Sequence, residues 1–292
     1  MKRWIALILI FSNIPLFFAC QENKSPDIVA TTLPVYEFTS ILCKDTGLTV
    51  DQLITENVSC LHDYTLQVDQ MRTLEAADLV VVTGAGLEDF LPKIEESKIL
   101  DSSKNISLYC HGDNDAHSSE HHNADHHHED PHIWLSVTNG KIMCENIYNG
   151  LITKFPEFST IFSQNYNILI QRMDELKTYG QAQLSDLKSR KIITFHDGFS
   201  YLAESYGVEI IKSIEEEAGS EASAAELKEI IELIRKHELQ AIFIEKSGSS
   251  SAANIISNET STAIYTLDMA ISGESYFNAM YHNIDTLKEA LG

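Results

Sequence analysis

The sequence predicts an α/β fold of two lobes, each built on a parallel sheet and joined to the other by a long helix. Short apolar segments recur along the chain, and segments with helical spacing follow them. Strands that are apolar on both faces are typical of parallel sheets covered by helices on each side. The predicted strands are residues 28–31, 79–83, 192–195, 208–211, 241–244 and 263–267.

Helical spacing between these strands divides the chain. One helix is predicted over 224–237, where apolar residues recur every three or four positions. The longest such run crosses 158–190, and Gly180 interrupts it without ending it. Its apolar positions are Phe162, Tyr166, Leu169, Ile170, Met173, Leu176 and Leu187. We therefore predict an N-terminal lobe over 28–157, a linking helix over 158–190 and a C-terminal lobe over 191–292.

The N-terminus has the layout of a secretory signal. Two basic residues precede an apolar run over 4–11, which is shorter than the roughly 20 apolar residues of a transmembrane helix. Cys20 follows a small residue where the segment turns polar, as in a bacterial lipobox, although Phe17 stands where such boxes usually carry Leu. We expect a signal over 1–20, acylation of Cys20 and a tether over 21–27. Ordinary signal cleavage without a lipid is the alternative.

The composition excludes one class of partner and favours another. The 292-residue chain has a formal net charge of −22, which nucleic-acid phosphates would repel. The same charge attracts cations and keeps the chain soluble. With 43% hydrophobic residues, the chain can bury a sizeable core. Its length suits one large domain or two ordinary ones.

Four cysteines follow Cys20, namely Cys43, Cys60, Cys110 and Cys144. In an oxidising compartment they can pair in three ways, and the sequence does not choose among these pairings. Disulfides and inert buried thiols both remain open. No two of them stand in a CxxC spacing, so a thiolate metal site is not indicated.

Four polar residues are candidate metal ligands. His196 and Asp268 come directly after predicted strands, at the edge of the sheet where α/β proteins bind ligands. His132 follows Pro131, and His62 lies in a short polar break before a helical pattern. Three imidazoles and one carboxylate suit zinc or a similar divalent ion. Spacing alone does not bring them together, and a single histidine is more often a surface or hydrogen-bonded residue.

Short motifs along nearly the whole mature chain resemble the solute-binding proteins of ABC importers for zinc and manganese, specifically the zinc-uptake branch. Their order and spacing together are highly specific. The motifs are IVATTLPVY at 28–36, HDY at 62–64, AADLV at 76–80, GAGLE at 84–88, DPHIWLS at 130–136, FHDGFSYL at 195–202, EAS at 221–223, AIFIE at 241–245 and LD at 267–268.

The resemblance implies an ion bound in a cleft between two α/β lobes. His62 and His132 would come from the first lobe, and His196 and Asp268 from the second. Histidine at 196, where the manganese branch tends to carry a carboxylate, favours Zn²⁺ over Mn²⁺. Zn²⁺ is therefore the expected transported ion, with Mn²⁺ or Fe²⁺ as the alternatives. Asp268 is the least certain ligand, since water or another carboxylate serves in some members. Leu61 stands where the family usually has proline, which concerns loop stiffness rather than ligand identity.

The resemblance also implies partners and a location. The chain would be a monomeric binding protein, not an enzyme, that delivers zinc to an ABC permease served by a cytoplasmic ATPase. It would be extracytoplasmic and membrane-anchored through Cys20, in the periplasm or at the cell surface. A manganese- or iron-binding component of a related importer is one alternative. A metal-stabilised surface adhesin lipoprotein is another.

A histidine-rich loop over 111–130 lies in a stretch without Lys or Arg. Its histidines are His111, His117, His121, His122, His126, His127 and His128. Such a tract can bind divalent ions loosely, and its acidic neighbours add attraction. One interpretation is a low-affinity zinc collector or gauge of abundance beside the cleft. The other is a disordered insertion whose metal binding is incidental.

Two strings in this region match zinc-protease motifs. Residues 128–132 fit HExxH and residues 117–121 fit HxxEH. Both motifs need a helix to bring their imidazoles to one face, and Pro131 disfavours helix at the residue before it. We therefore set aside a secreted zinc hydrolase, for which Glu129, Glu245 or Asp268 would be the base. His237 and His282 are interpreted as ordinary surface or helix residues.

Overall fold

The computed structural model describes residues 25–58, 61, 64–109, 129–215 and 222–292. Within these residues it contains two four-stranded parallel sheets with helices packed around them. A long helix lies between the two sheets in chain order. The predicted α/β fold class is confirmed.

The N-terminal lobe holds the first sheet. Its strands are β1 (Ile28–Ala30), β2 (Val50–Gln52), β3 (Leu79–Val82) and β4 (Ile99–Asp101), in the order β2-β1-β3-β4. Its helices are α1 (Leu33–Leu42), α2 (Val68–Ala76) and α3 (Val137–Lys154), and short 3-10 turns lie at Glu96–Lys98 and Ile133–Leu135. The apolar pattern predicted β1 and β3 because both are buried along their whole length. It missed β2 and β4, which are short edge strands that include exposed or half-buried polar residues.

The linking helix α4 spans Ser159–Gln183, after a 3-10 turn at Pro156–Phe158. It continues through Gly180. The Tyr206 ring packs against this glycine so closely that a methyl group on Gly180 would lie 2.3 Å from the Tyr206 hydroxyl. The helix ends before the predicted residue 190. The guanidinium of Arg190 instead donates hydrogen bonds to the carbonyls of Leu184 and Ser185, at 3.1 and 2.8 Å. Leu187 therefore lies beyond the helix.

The C-terminal lobe repeats the arrangement with a larger sheet. Its strands are β5 (Lys191–His196), β6 (Glu209–Glu215), β7 (Ala241–Glu245) and β8 (Ala263–Leu267), in the order β6-β5-β7-β8. Its helices are α5 (Ser200–Ser205), α6 (Ala224–His237), α7 (Ser251–Thr260) and α8 (Tyr276–Leu291). Because Glu245 pairs with Leu267, β7 and β8 end at the same edge of the sheet.

One hydrophobic core extends across both lobes and the linking helix. A polar junction reinforces it where the three parts meet. Glu37 of α1 accepts hydrogen bonds from the backbone N–H of Tyr276 at 2.5 Å and from the Ser275 hydroxyl at 3.3 Å, at the start of α8. Arg172 of α4 lies 3.7 Å from the same carboxylate and stacks over the Phe277 ring at 4.0 Å. A carboxylate at a helix N-terminus is favourable because the first N–H groups lack helical partners.

Two of the four cysteines left open by the sequence are buried free thiols. Cys43 ends α1 and Cys144 lies within α3. Burial, with a smaller contribution from the Asp27 carboxylate, raises the pKa of Cys43 to about 12. Cys60 and Cys110 lie outside the described residues. Among the helices that the structure describes, none is long and apolar enough to cross a membrane.

Candidate metal site

His196 is the last residue of β5 and is 3% exposed. β5 is an inner strand of the second sheet, so the imidazole stands at the carboxyl edge where ligands of α/β folds bind. Gly198 keeps space beside it. A methyl group on Gly198 would lie 2.7 Å from Cδ2 of His196 and 2.9 Å from Nε2.

His132 lies between Pro131 and the 3-10 turn, and it is also 3% exposed. The fully buried Asp130 orients it through one carboxylate oxygen. Oδ1 of Asp130 accepts a hydrogen bond from the His132 backbone N–H at 2.9 Å and lies 2.8 Å from Nδ1. A carboxylate oxygen only accepts, so Nδ1 carries the proton and Nε2 keeps its lone pair. This tautomer is ready to bind a metal through Nε2.

The two imidazoles lie close together. The ring centroids of His132 and His196 are 5.2 Å apart, and the rings are perpendicular. The Trp134 ring packs against His132 at 5.4 Å. Two buried imidazoles so close together can supply two nitrogen ligands to one divalent ion.

Asp268 follows β8 as predicted, but the structure pairs its carboxylate with a cation. Its Oδ2 lies 3.0 Å from Nζ of Lys246, and its Oδ1 accepts a hydrogen bond from the Ala270 backbone at 2.9 Å. The side chain of Asn283 holds the Asp268 backbone. Its Oδ1 accepts a hydrogen bond from the Asp268 N–H, and its Nδ2 donates one to the Asp268 carbonyl. A cavity of about 30 Å³ adjoins these groups and buried Glu245. Among the residues that the structure describes, no three His, Cys, Asp or Glu side chains form a metal-binding cluster.

Several predicted site residues lie outside the described ranges. These are His62, Cys20 and the seven histidines from His111 to His128. His237 and His282 lie on α6 and α8, and Nζ of Lys191 approaches Nδ1 of His237 at 3.5 Å.

The sequence did not assign roles to three neighbours of the site. Asp130 was counted only among the acidic neighbours of the loop, although its position two residues before His132 allows a local hydrogen bond. Lys246 follows directly on a strand end, which is the same signal that marked His196 and Asp268. Gly198 belongs to the motif at 195–202, but its contact with the imidazole depends on the folded chain.

The described part of the HExxH string is not an α-helix. Glu129 to His132 are non-helical, and the turn that begins at Ile133 is a three-residue 3-10 helix. The geometry that a zinc protease needs from this motif is therefore absent from these four residues.

Comparison with known proteins agrees with this architecture. The model of a family described as zinc-uptake complex component A, periplasmic, matches residues 28–290. The zinc-binding lipoprotein AdcA of Streptococcus pneumoniae is 29% identical over 97% of this chain, which spans 60% of that relative's length. The high-affinity zinc uptake system protein ZnuA of Bacillus subtilis is 27% identical over 99% of this chain and 98% of its own. The crystal structure of Zn(II)-bound AdcA from Streptococcus pneumoniae is 28% identical, covers 90% of this chain and 57% of that one, and has a TM-score of 0.75.

Proposed function

This chain belongs to the ZnuA family of periplasmic zinc-uptake components, and from that membership we propose that it is the high-affinity extracytoplasmic zinc-binding component of an ABC importer. The observation that carries the proposal is the contact between His132 and His196. The two imidazoles come from different lobes and meet at 5.2 Å, and Asp130 fixes the tautomer of His132. Zinc is the cargo of this site rather than a resident cofactor.

The chemistry of the pair favours zinc over harder ions. Imidazole nitrogens suit zinc, whereas manganese is better served by carboxylates, carbonyls and water. His62 and Asp268 complete the proposed ligand set. For Asp268 to bind zinc, its carboxylate has to be shared with Lys246 or released from it, because the two lie 3.0 Å apart.

Binding and delivery follow from protonation and from the partners that the family implies. Neutral imidazoles bind zinc, so affinity falls as the pH drops towards about 6.5 and below. The protein binds and does not catalyse; a separate ATPase supplies the energy through a permease. We further propose that Cys20 carries the lipid anchor, and that the histidines of 111–128 collect zinc loosely for the cleft.

The metal assignment is tested on the full chain purified without added metal. Native mass spectrometry and elemental analysis should find one tightly bound zinc when all seven histidines of 111–128 are replaced by serine. In that background His196→Ala should lose tight binding, whereas His237→Ala, a matched change on α6, should keep it. Manganese or iron at unit occupancy with zinc absent would overturn the assignment. Unchanged tight binding in His196→Ala would remove that residue from the site.

The cellular role is tested by deleting the gene. Growth should fail in zinc-poor medium and recover with added zinc, but not with manganese or iron. Normal zinc uptake in the deletion strain, accompanied by a loss of adhesion to host surfaces, would support the adhesin alternative instead.

A further inference from the structure

His132 lies at the centre of residues 130–134, here called the His132 segment. Chain order places this segment in the N-terminal lobe, between β4 and α3. Three hydrogen bonds that involve side chains nevertheless join both ends of this segment to residues of the C-terminal lobe.

Tyr201 of α5 holds the first end. Its hydroxyl donates a hydrogen bond to the carbonyl of Asp130 at 3.0 Å and accepts one from the backbone N–H of Tyr109 at 3.1 Å. The Tyr109 and Tyr201 rings stack with centroids 4.4 Å apart. The Asp130 N–H in turn donates to the Tyr109 carbonyl at 2.8 Å. Tyr201 is 2% exposed, so this hydroxyl is bonded away from competing water.

Trp134 holds the second end. Its indole N–H donates a hydrogen bond to the backbone carbonyl of Met269 at 2.7 Å, and its own carbonyl accepts one from the Tyr276 hydroxyl at 2.8 Å. Both aromatic side chains are fully buried. Met269 and Tyr276 belong to the C-terminal lobe, after β8 and at the start of α8 respectively.

Two of the groups that hold the segment belong to the neighbourhood of His196, one by its place in the chain and one in space. Tyr201 lies on the helix that follows β5, five positions after His196. The Met269 methyl group and Nε2 of His196 both lie beside Gly198. A Cβ atom on Gly198 would be 2.7 Å from the first and 2.9 Å from the second. Hydrogen bonds with Tyr201, Met269 and Tyr276 therefore join the His132 segment to the lobe that carries His196. Asp130 orients His132 from within the segment.

We propose that Tyr201 and Trp134 are positioning residues that make His132 and His196 a preformed zinc-binding pair attached to the C-terminal lobe. This inference rests on the proposed function. By chain order, His132 would belong to the N-terminal lobe and His196 to the C-terminal lobe. In this proposal both imidazoles belong to the C-terminal lobe, and they stay together in the absence of zinc. The remaining ligands then complete the site around a pair that already has its spacing.

Removing the hydrogen-bonding groups one at a time tests the positioning role. Tyr201→Phe removes only the hydroxyl, and Trp134→Phe removes the indole N–H. The matched control is Tyr179→Phe, which removes the hydroxyl that bonds Asp285 at 2.6 Å between α4 and α8 at the exposed surface. We expect zinc affinity to fall about 10- to 100-fold in the two test variants, as for other supporting partners of metal ligands, and to stay unchanged in the control.

Cobalt provides a readout that a general loss of stability would not move. The visible spectrum of bound Co²⁺ depends on ligand number and geometry. It should change in Tyr201→Phe and Trp134→Phe at full occupancy and match the wild type in Tyr179→Phe. If both test variants kept the zinc affinity and the cobalt spectrum of the wild type, the positioning role would be overturned. The proposed function would still hold, because it depends only on zinc binding by the wild-type protein.

Hydrogen exchange tests preformation in the wild-type full chain. The N–H of Leu135 donates to the His132 carbonyl and the N–H of Ser136 to the Ile133 carbonyl, at 3.2 Å each. Peptides covering 130–136 should be protected to the same degree with and without zinc. Protection that arises only on adding zinc would show that the ion assembles the pair, and it would overturn the proposal. This experiment needs no variant, so it remains decisive if a substituted protein fails to fold.

Discussion

Oδ1 of Asp130 lies 2.8 Å from Nδ1 of His132, and both side chains are buried. The same oxygen accepts the backbone N–H of His132, so the carboxylate holds both the ring and its backbone. An imidazole held in this way has a fixed orientation and a fixed tautomer. The contact is formed within three residues of sequence, and it orients one of the two imidazoles of the proposed zinc site.

Asp130→Asn should lower zinc affinity about 10- to 100-fold, because a neutral amide replaces the charged carboxylate that orients the imidazole. Competition with a chelator of known affinity measures the change. Asp174→Asn is the matched control, since Asp174 makes a surface ion pair with Lys141 at 2.7 Å. Equal losses in both variants, or none in Asp130→Asn, would contradict the orienting role.

Gly198→Ala should weaken zinc binding while leaving the fold intact. The new methyl group would lie 2.7 Å from Cδ2 of His196, so the imidazole or the Met269 side chain has to move. We expect a loss of affinity of about tenfold or more, as for other changes that disturb ligand orientation. Calorimetric titration and circular dichroism should be run together. An unchanged dissociation constant would show that the imidazole tolerates the displacement.

Glu37→Ala should destabilise the chain by about 1–3 kcal/mol, because the buried N–H of Tyr276 loses its acceptor at the start of α8. Glu175→Ala is the control. Glu175 only accepts a hydrogen bond from Gln171 on the exposed face of α4, so its loss should stay within about 0.5 kcal/mol. Urea unfolding measures both changes. A similar free energy of unfolding for the two variants would show that the hydrogen bonds of Glu37 do not help to join the lobes.

Glu88 should give the chain a pH-dependent stability of a specific sign. Burial raises the pKa of its carboxyl above the ordinary value of 4.5, against hydrogen bonds from Thr31, Gly84 and Thr83 that lower it. The folded state then binds the proton more tightly than the unfolded state. Its contribution is fully present below the unfolded pKa and is lost as the pH rises through the folded pKa.

Glu88→Gln removes this titration, so it isolates the contribution. The free energy of unfolding of the wild type minus that of the variant should decrease as the pH rises from about 4 through the raised pKa. Urea unfolding at a series of pH values measures it. A difference that increases with pH would mean that the hydrogen bonds outweigh burial.

Cys43 should resist alkylation in the native protein at about pH 8, since a thiol with a pKa of about 12 is almost wholly protonated there and reacts through its thiolate. Cys144, whose pKa burial raises well above its ordinary value, should resist too. Labelling with iodoacetamide followed by peptide mass spectrometry measures both. The same peptides labelled in guanidinium provide the reference, and rapid native labelling of Cys43 would show that its burial is transient.

Much of the candidate site could be predicted because its residues follow apolar strands. The apolar runs that predicted β5 and β8 also predicted where these strands end. His196 and Asp268 stand at those ends, at the carboxyl edge of the second sheet. The pairing of Asp268 with Lys246 could not be predicted, since it depends on the parallel register of β7 and β8. The end of α4 at Gln183 was missed for a similar reason, because Arg190 binds the carbonyls beyond it from outside the helix.

By itself the sequence determined the α/β class, the long linking helix and the strand-end position of His196, because periodicity and strand ends are local properties. Only the tertiary structure decided that His132 meets His196 and that the C-terminal lobe anchors both ends of the His132 segment. The Trp134 to Met269 hydrogen bond joins residues 135 positions apart. No local pattern specifies such a contact, because it forms only when the shared core of both lobes brings the two segments together.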